Sequence, residues 1–196
     1  MSRWIEPVTL NGEHVTLEPL TAQHTQALAA AAADGELWKL WYTSVPAPGE
    51  EGAYVAAALA MRERDGTLPF VVRDGATGDV IGSTRFFNVD EKNHRLEIGH
   101  TWYAKRVQRT GLNTEAKLLL LTHAFEKLGA IAVEFRTHFM NHASRAAIAR
   151  LGAKQDGILR NHQVGRQGEL RDTVVFSIIA SEWPAVRENL LLKLAR

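Results

Sequence analysis

The sequence predicts one mixed α/β (α+β) domain, with a mostly antiparallel central sheet flanked by helices. Three observations predict it. Short apolar stretches joined by tight turns run from residue 68 to 103, the pattern of an antiparallel meander. A leucine-rich helix and a further strand follow, and a strand–helix–strand order asks that the later strand pair in parallel with an earlier one. The 196 residues are 45% apolar and 23% charged, ordinary values for one globular core. With no internal repeat, low-complexity tract or linker, residues 1–196 read as a single domain.

Taken in order, Val8–Leu10 and His14–Leu17 flank Asn11-Gly12 and form a small hairpin with an Asn-Gly turn. Thr21 can cap a helix through the alanine-rich stretch to Ala33, with Asp34-Gly35 ending it. Residues 36–48 hold Trp38, Trp41 and Tyr42 between two turn signals. They form either a packed connector or the wall of a substrate pocket, because aromatic loops bury ligands efficiently. A helix spans residues 50–65, with Gly66 just beyond. Strands cover 68–73, 80–89 and 94–103, and 131–138 after the leucine-rich helix. Asn141 caps a short helix ending at Leu151, with Gly152 in the C′ place. Residues 158–164 and 171–179 make a last hairpin around a turn at 165–168, and Ser181 can cap a terminal helix carrying Trp183, Val186, Leu190 and Leu194.

Composition excludes several functions. The formal net charge of +1 gives no electrostatic case for nucleic acid or a membrane surface. The chain has no cysteine, which removes disulfides, thiolate catalysis and cysteine-ligated zinc. Its eight histidines show no H-E-x-x-H or similar spacing, so no metal is expected. Neither a signal peptide nor an apolar run long enough to span a bilayer is present, and the cytoplasm is the expected compartment.

The chemistry is expected around residues 106–128. A polar loop with Gln108 and Gly111 turns directly into a helix whose apolar run, Leu118–Leu121, implies burial on more than one side. Free N–H groups at the start of such a helix suit phosphate oxygens. Arg106 and Arg109 either neutralise those phosphates or are solvated loop charges. No G-x-x-x-x-G-K-[ST] occurs and no G-x-G-x-x-G follows a strand, so two common nucleotide loops are absent. The string Gln108-Arg109-Thr110-Gly111-Leu112-Asn113 instead resembles the Q/R-x-x-G-x-G/A signature of the GCN5-related N-acetyltransferase (GNAT) family, with Asn113 where a small residue is usual. The strings Leu96-Glu97-Ile98-Gly99, Asn141-His142-Ala143-Ser144-Arg145, Arg150-Leu151-Gly152-Ala153, Gly157-Ile158-Leu159-Arg160, Arg171-Asp172 and Glu182-Trp183 are together similar to the Rim-type branch, which contains acetyltransferases of ribosomal-protein N-termini.

The resemblance implies a sheet splayed between its fourth and fifth strands, acetyl-coenzyme A (acetyl-CoA) as co-substrate, and a primary amine of a protein N-terminus or a small molecule as acceptor. It places the cofactor's pyrophosphate on Gln108, Arg109, Thr110, Gly111, Leu112, Asn113 and Thr114, with Arg106 nearby. The acetyl carbonyl would lie near Thr101, Trp102 and Tyr103, and Asn141 would meet the pantetheine amides or orient substrate. Glu97 and Glu134 are the general-base candidates, each flanked by apolar residues on a strand, with Glu97 preferred because its strand carries the acetyl-binding segment. Exposed or arginine-paired carboxylates are the alternative. Ser144 is the proton donor to the thiolate that the N-x-x-S pattern implies, unless it and Asn141 simply cap the helix. Arg85, Phe87, Trp38, Trp41 and Tyr42 line the acceptor side or pack the core. An α-amine, with a pKa of about 8 against about 10.4 for lysine, suits a distant carboxylate base better. Monomers and homodimers are both compatible with the family. A non-catalytic acyl-CoA sensor and a partner-binding module are the other readings of the same fold.

Overall fold

The computed structural model describes residues 4–165 and 168–195. Its sheet comprises β1 (Leu10–Asn11), β2 (Val15–Pro19), β3 (Leu68–Asp74), β4 (Val80–Asp90), β5 (Arg95–Tyr103), β6 (Ala132–His138), β7 (Lys154–Val164) and β8 (Leu170–Ile179). They lie in the order β1-β2-β3-β4-β5-β6-β8-β7, antiparallel throughout except for the parallel pair β5 and β6. The helices are α1 (Thr25–Ala33), α2 (Glu51–Asp65), α3 (Leu112–Thr122), α4 (His142–Leu151) and α5 (Trp183–Leu194). The mixed, mostly antiparallel sheet read from the sequence is the observed one. Side chains from both sheet faces and all five helices, among them Leu28, Val55, Phe86, Leu120, Ile148 and Leu190, join one buried cluster. Each such large side chain contributes roughly 1.5–3 kcal/mol on burial.

Register sorts the residues onto two faces. Leu96, Val133 and Ile178 lie side by side on one face, and Phe87, Glu97, Glu134 and Ser177 on the other. The first face carries α3: the Lys117 ammonium bonds to Thr84, and the His123 ring stacks on Phe86. The second face lies under α2, through Tyr54 against Trp102 and Met61 against Arg85.

The parting predicted between the fourth and fifth strands falls between β5 and β6, because the short β1 adds one to the count. Only Arg95, Leu96 and Glu97 pair with β6, at Ala132, Val133 and Glu134. Beyond Glu97, β5 leaves β6, which stays paired with β8 along its whole length. A bulge accompanies the parting. Gly99 and Trp102 face Arg85 and Ser83, so β5 holds one extra residue between them, and His100 there has φ 49°.

Local details differ from the sequence reading where tertiary contacts intervene. The first hairpin turns on Gly12–Val15 rather than on Asn11-Gly12, because the Glu115 carboxylate of α3 accepts the N–H groups of Glu13, His14 and Val15, each at 2.8 Å. A 3-10 turn, Ala22–His24, separates Thr21 from α1. The leucine-rich helix ends its α section at Thr122 and continues as a π-helical turn, His123–Lys127. The strand expected from Ile158 starts at Lys154, where pairing with β8 extends it. Glu182, not Ser181, occupies the N-cap of α5. In the turn at 165–168, residues 166 and 167 lie outside the described residues. Among the described residues no helix is long and apolar enough to cross a membrane.

Candidate active site

The loop opening α3 is shaped by its own side chains. Gln108 Nε2 donates to Tyr103 O (2.9 Å) and Thr110 Oγ1 to Val107 O (2.8 Å), which ties the loop to the end of β5. The amides of Val107 and Gln108 donate to Ala104 O and Lys105 O. The helix ladder begins at Glu115 N, which donates to Gly111 O, and Leu112 N reaches Thr110 Oγ1 at 3.4 Å. First-turn amides have no partner within a helix, so those of Asn113 and Thr114 lie outside the helix ladder at the positive end of the dipole, that of Asn113 on the less buried residue.

Arg109 supplies the left-handed residue of the loop, with φ 64°, whereas Gly111 has φ −67°, which any residue adopts. A Cβ on Gly111 would make ordinary contact with Leu194 Cδ2 at 3.6 Å. Space at Gly111, rather than backbone freedom, is therefore what the glycine leaves. Asn113 is helical, and its buried Oδ1 has no partner. Arg106 is held by Asp34 (3.2 Å) and Asp79 (3.5 Å), so protein carboxylates already balance its charge. Arg109 lies exposed beside the open amides.

The other side of the parted seam is a buried polar floor. Glu97 is 2% exposed and accepts from Asn88 Nδ2 at 2.8 Å, with Arg136 Nε at 3.4 Å. Burial pushes its carboxyl up to about 7, against the opposing pull of Asn88 and Arg136. Glu134, its register partner on β6, differs: burial raises it, but hydrogen bonds from Arg95 and Arg136 outweigh that and hold it below the usual carboxylate range. Of the two glutamates read from the sequence, Glu134 is ion-paired with Arg95 and Arg136, and Glu97 is the one whose carboxyl burial raises. Both border a cavity of about 170 Å³ with Asn88, Asp90, Arg95 and Arg136.

Around Glu97 the same face carries Arg85, Phe87, His100, His138 and Arg171. The His100 ring contacts Phe87 edge-on at 4.9 Å, and burial lowers its pKa to about 4. Gly99 is required here, since a Cβ would lie 2.6 Å from Phe87 Cε1. Trp41, 49% exposed, stands edge-on over His138 at 4.7 Å with Tyr42 beside it, so two aromatics of the 36–48 connector reach the end of β6 next to the site. Trp38 packs against the core instead. Trp102 is buried with Nε1 bonded to Tyr54 OH (3.0 Å), and Tyr103 is buried with its hydroxyl unpartnered, burial raising its pKa.

At the head of α4, Asn141 Oδ1 accepts from Ser144 N at 3.0 Å, the capping role the sequence allowed. This bond occupies Oδ1 and leaves the amide nitrogen of Asn141 and the Ser144 hydroxyl for other partners. His138 Nδ1 accepts from Met140 N, fixing the approach to the cap. Among the described residues no group of three His, Asp or Glu side chains could hold a metal ion.

Sequence reasoning missed Lys117. It is 5% exposed and donates to Thr101 Oγ1 (2.8 Å) and Thr84 Oγ1 (3.2 Å), directly behind the β5 bulge. Burial lowers its pKa to about 7. A lysine inside a helix expected to be buried on several sides was the available signal. Arg136 was also missed, although its alternation with Glu134 and His138 on one strand places all three on one face.

Residues 14–154 match the family described as the acetyltransferase (GNAT) domain. Over 106 residues the chain is 33% identical to YdaF of Bacillus subtilis, whose name assigns it provisionally as a ribosomal N-acetyltransferase; the match spans 54% of this chain and only 57% of that protein. A crystal structure of a GCN5-related N-acetyltransferase from Brucella melitensis superposes with a TM-score of 0.87 at 33% identity, covering 98% of this chain and 87% of that one. RimJ of Mycobacterium smegmatis, solved in complex with CoA-disulfide, shares the fold at 22% identity, with a TM-score of 0.78 over 95% of each chain.

Proposed function

Because the chain belongs to the GNAT family of N-acetyltransferases, we propose that it transfers the acetyl group of acetyl-CoA to a primary amine by direct attack in a ternary complex. The observation that carries the reading is one alignment: β5 parts from β6 just where Glu97 is buried, and β5 then runs into the open amides of α3. A diphosphate on those amides, beside Arg109 and Gln108, leaves an extended arm to lie along the freed edge of β5 towards Asn141. The residues fit such a group, since main-chain donors without internal partners face it and Gly111 keeps the approach clear.

Glu97, once ionised, takes a proton from the acceptor ammonium, directly or through water. The freed nitrogen attacks the thioester carbonyl carbon, and main-chain N–H groups at the β5 bulge receive the developing oxyanion. The C–S bond breaks, and the Ser144 hydroxyl gives its proton to the departing thiolate and regains one from the new amide's nitrogen through solvent. An α-amine is the best-matched nucleophile, and the name of the YdaF relative supports a protein N-terminus among the candidates. The cytoplasm, where CoA thioesters and nascent N-termini meet, is the compartment we assign.

Calorimetry with acetyl-CoA, followed by thiol release over a panel of peptide N-termini and small amines, tests the proposal. Binding with amine-dependent CoA release is the expected result. Binding without turnover on any amine would favour a sensor, and no binding at millimolar cofactor would discard both ligand-based readings.

A further inference from the structure

The floor of the cleft contains more positive charge than the protein itself balances. Arg85 is 3% exposed, yet among the described residues no carboxylate pairs with it. Its Nη1 meets Met61 Sδ at 3.4 Å, its guanidinium lies 5.0 Å above the Tyr54 ring, and its buried Nε has no partner. Arg171 on β8, half-buried, also has a buried, unpartnered Nε, and the acidic group acting on it is Glu97. The other arginines of this floor are matched, Arg136 with Glu97 and Glu134, and Arg95 with Glu134. An unpaired guanidinium inside a protein is among the costliest groups to bury, so Arg85, with the half-buried Arg171 on the same face, points to an absent counter-ion.

The two sit together. Both charges act on His100 at the bulge, and that of Arg171 also acts on Glu97 and His138. His100 adds no net charge near neutrality, because burial keeps it in its neutral form. A guanidinium presents a planar fork of donors that matches a carboxylate. Tyr54 lies against Arg85 and Phe87 against His100, so the groups around Arg85 and the bulge are largely apolar.

We propose that Arg85 and Arg171 bind a carboxylate of the acceptor, so that this protein acetylates amines carrying a carboxylate close to the reacting nitrogen. The proposal deepens the acetyl-transfer reading and rests on it. A carboxylate held by Arg171 brings the attached amine beside Glu97. Two sources share this chemistry: a free amino acid, through its α-carboxylate, and a peptide that begins with an acidic residue.

The test compares matched acceptors by thiol release: alanine against alaninamide, and Asp-Ala-Ala-amide against Asn-Ala-Ala-amide. In at least one pair the acid exceeds its neutral counterpart in kcat/KM by about tenfold or more, the scale of one charge-assisted hydrogen bond, and the pair that shows it identifies the source. Arg171→Gln and Arg85→Met each bring that ratio towards one by raising KM for the acid. Arg171 is only half-buried, so its variant serves if Arg85→Met does not fold. Neutral acceptors used as well as acids, by a protein that binds and turns over acetyl-CoA, overturn the proposal and leave acetyl transfer standing. An unchanged ratio in folded Arg171→Gln also overturns it. Failure to bind acetyl-CoA removes both readings.

Discussion

The loop that opens α3 and the floor formed by β4, β5, β6 and β8 place polar and charged groups in opposite settings. The loop presents main-chain N–H groups at a helix end, and its charged side chains stay in solvent or, as with Arg106, pair with Asp34 and Asp79. The floor buries its charges, and their behaviour comes from what surrounds them: Glu97 is pushed up, His100 down, and Arg85 meets Met61 and Tyr54 in place of a carboxylate among the described residues. A main-chain site is built from consecutive residues and tolerates side-chain change where there is room. A side-chain floor assembled from four strands depends on each neighbour, because in a desolvated setting one missing partner changes protonation itself.

The sharpest way to break this contrast is at the loop. Gly111→Glu places a carboxylate over the open amides and should weaken acetyl-CoA binding about a hundredfold or more in calorimetry. Gly111→Ala should fold and bind, since a Cβ there meets only Leu194 at van der Waals distance. Normal binding by folded Gly111→Glu would put the pyrophosphate elsewhere.

On the floor, Glu97→Gln should lower kcat about 10²–10³-fold with acetyl-CoA affinity little changed. The wild-type rate should rise with pH through about 7, as the carboxyl ionises, and that limb should vanish in the variant. Glu134→Gln should keep the limb but move it to lower pH, because the Glu134 charge helps raise Glu97 and Arg136 is shared between them. Ser144→Ala should cost about tenfold in kcat and leave cofactor affinity intact, because its role arises only as the thiolate forms. An unchanged single-turnover rate would remove Ser144 from the mechanism.

Stability should respond as well, and the two contributions run in opposite directions. The folded-state pKa of Glu97, about 7, lies above its usual 4.5, so the folded chain binds this proton more tightly. That contribution is complete below pH 4.5 and is lost as pH rises to 7, with roughly 3 kcal/mol at stake. Lys117, lowered from 10.5 to about 7, binds its proton more weakly when folded. Its penalty is complete below pH 7 and is relieved as pH rises to 10.5. Denaturant midpoints should therefore dip near neutrality. Glu97→Gln should flatten the acid side of that dip and Lys117→Met the alkaline side; a profile that only rises would contradict the Glu97 assignment, and one that only falls the Lys117 assignment.

How much was legible follows the same division. The loop could be read because Gln108, Thr110 and Gly111 are neighbours in the chain and helix starts follow local rules. Glu97 could be nominated from its strand, but Glu97 and Glu134 could not be separated, since Arg95 and Arg136 choose between them through register. Asn141 read correctly as a cap for the same local reason. Ser181 did not, because the chain's path out of β8 gives that place to Glu182.

By itself the sequence determined the meander, the helix that follows it and the order of elements, because alternation, capping and turn chemistry act over a few residues. Only the tertiary structure decided where β5 leaves β6, which carboxyl is raised, that Lys117 backs the bulge and that no carboxylate among the described residues pairs with Arg85. Those outcomes depend on desolvation and on partners far apart in the chain, and neither exists until the strands are side by side.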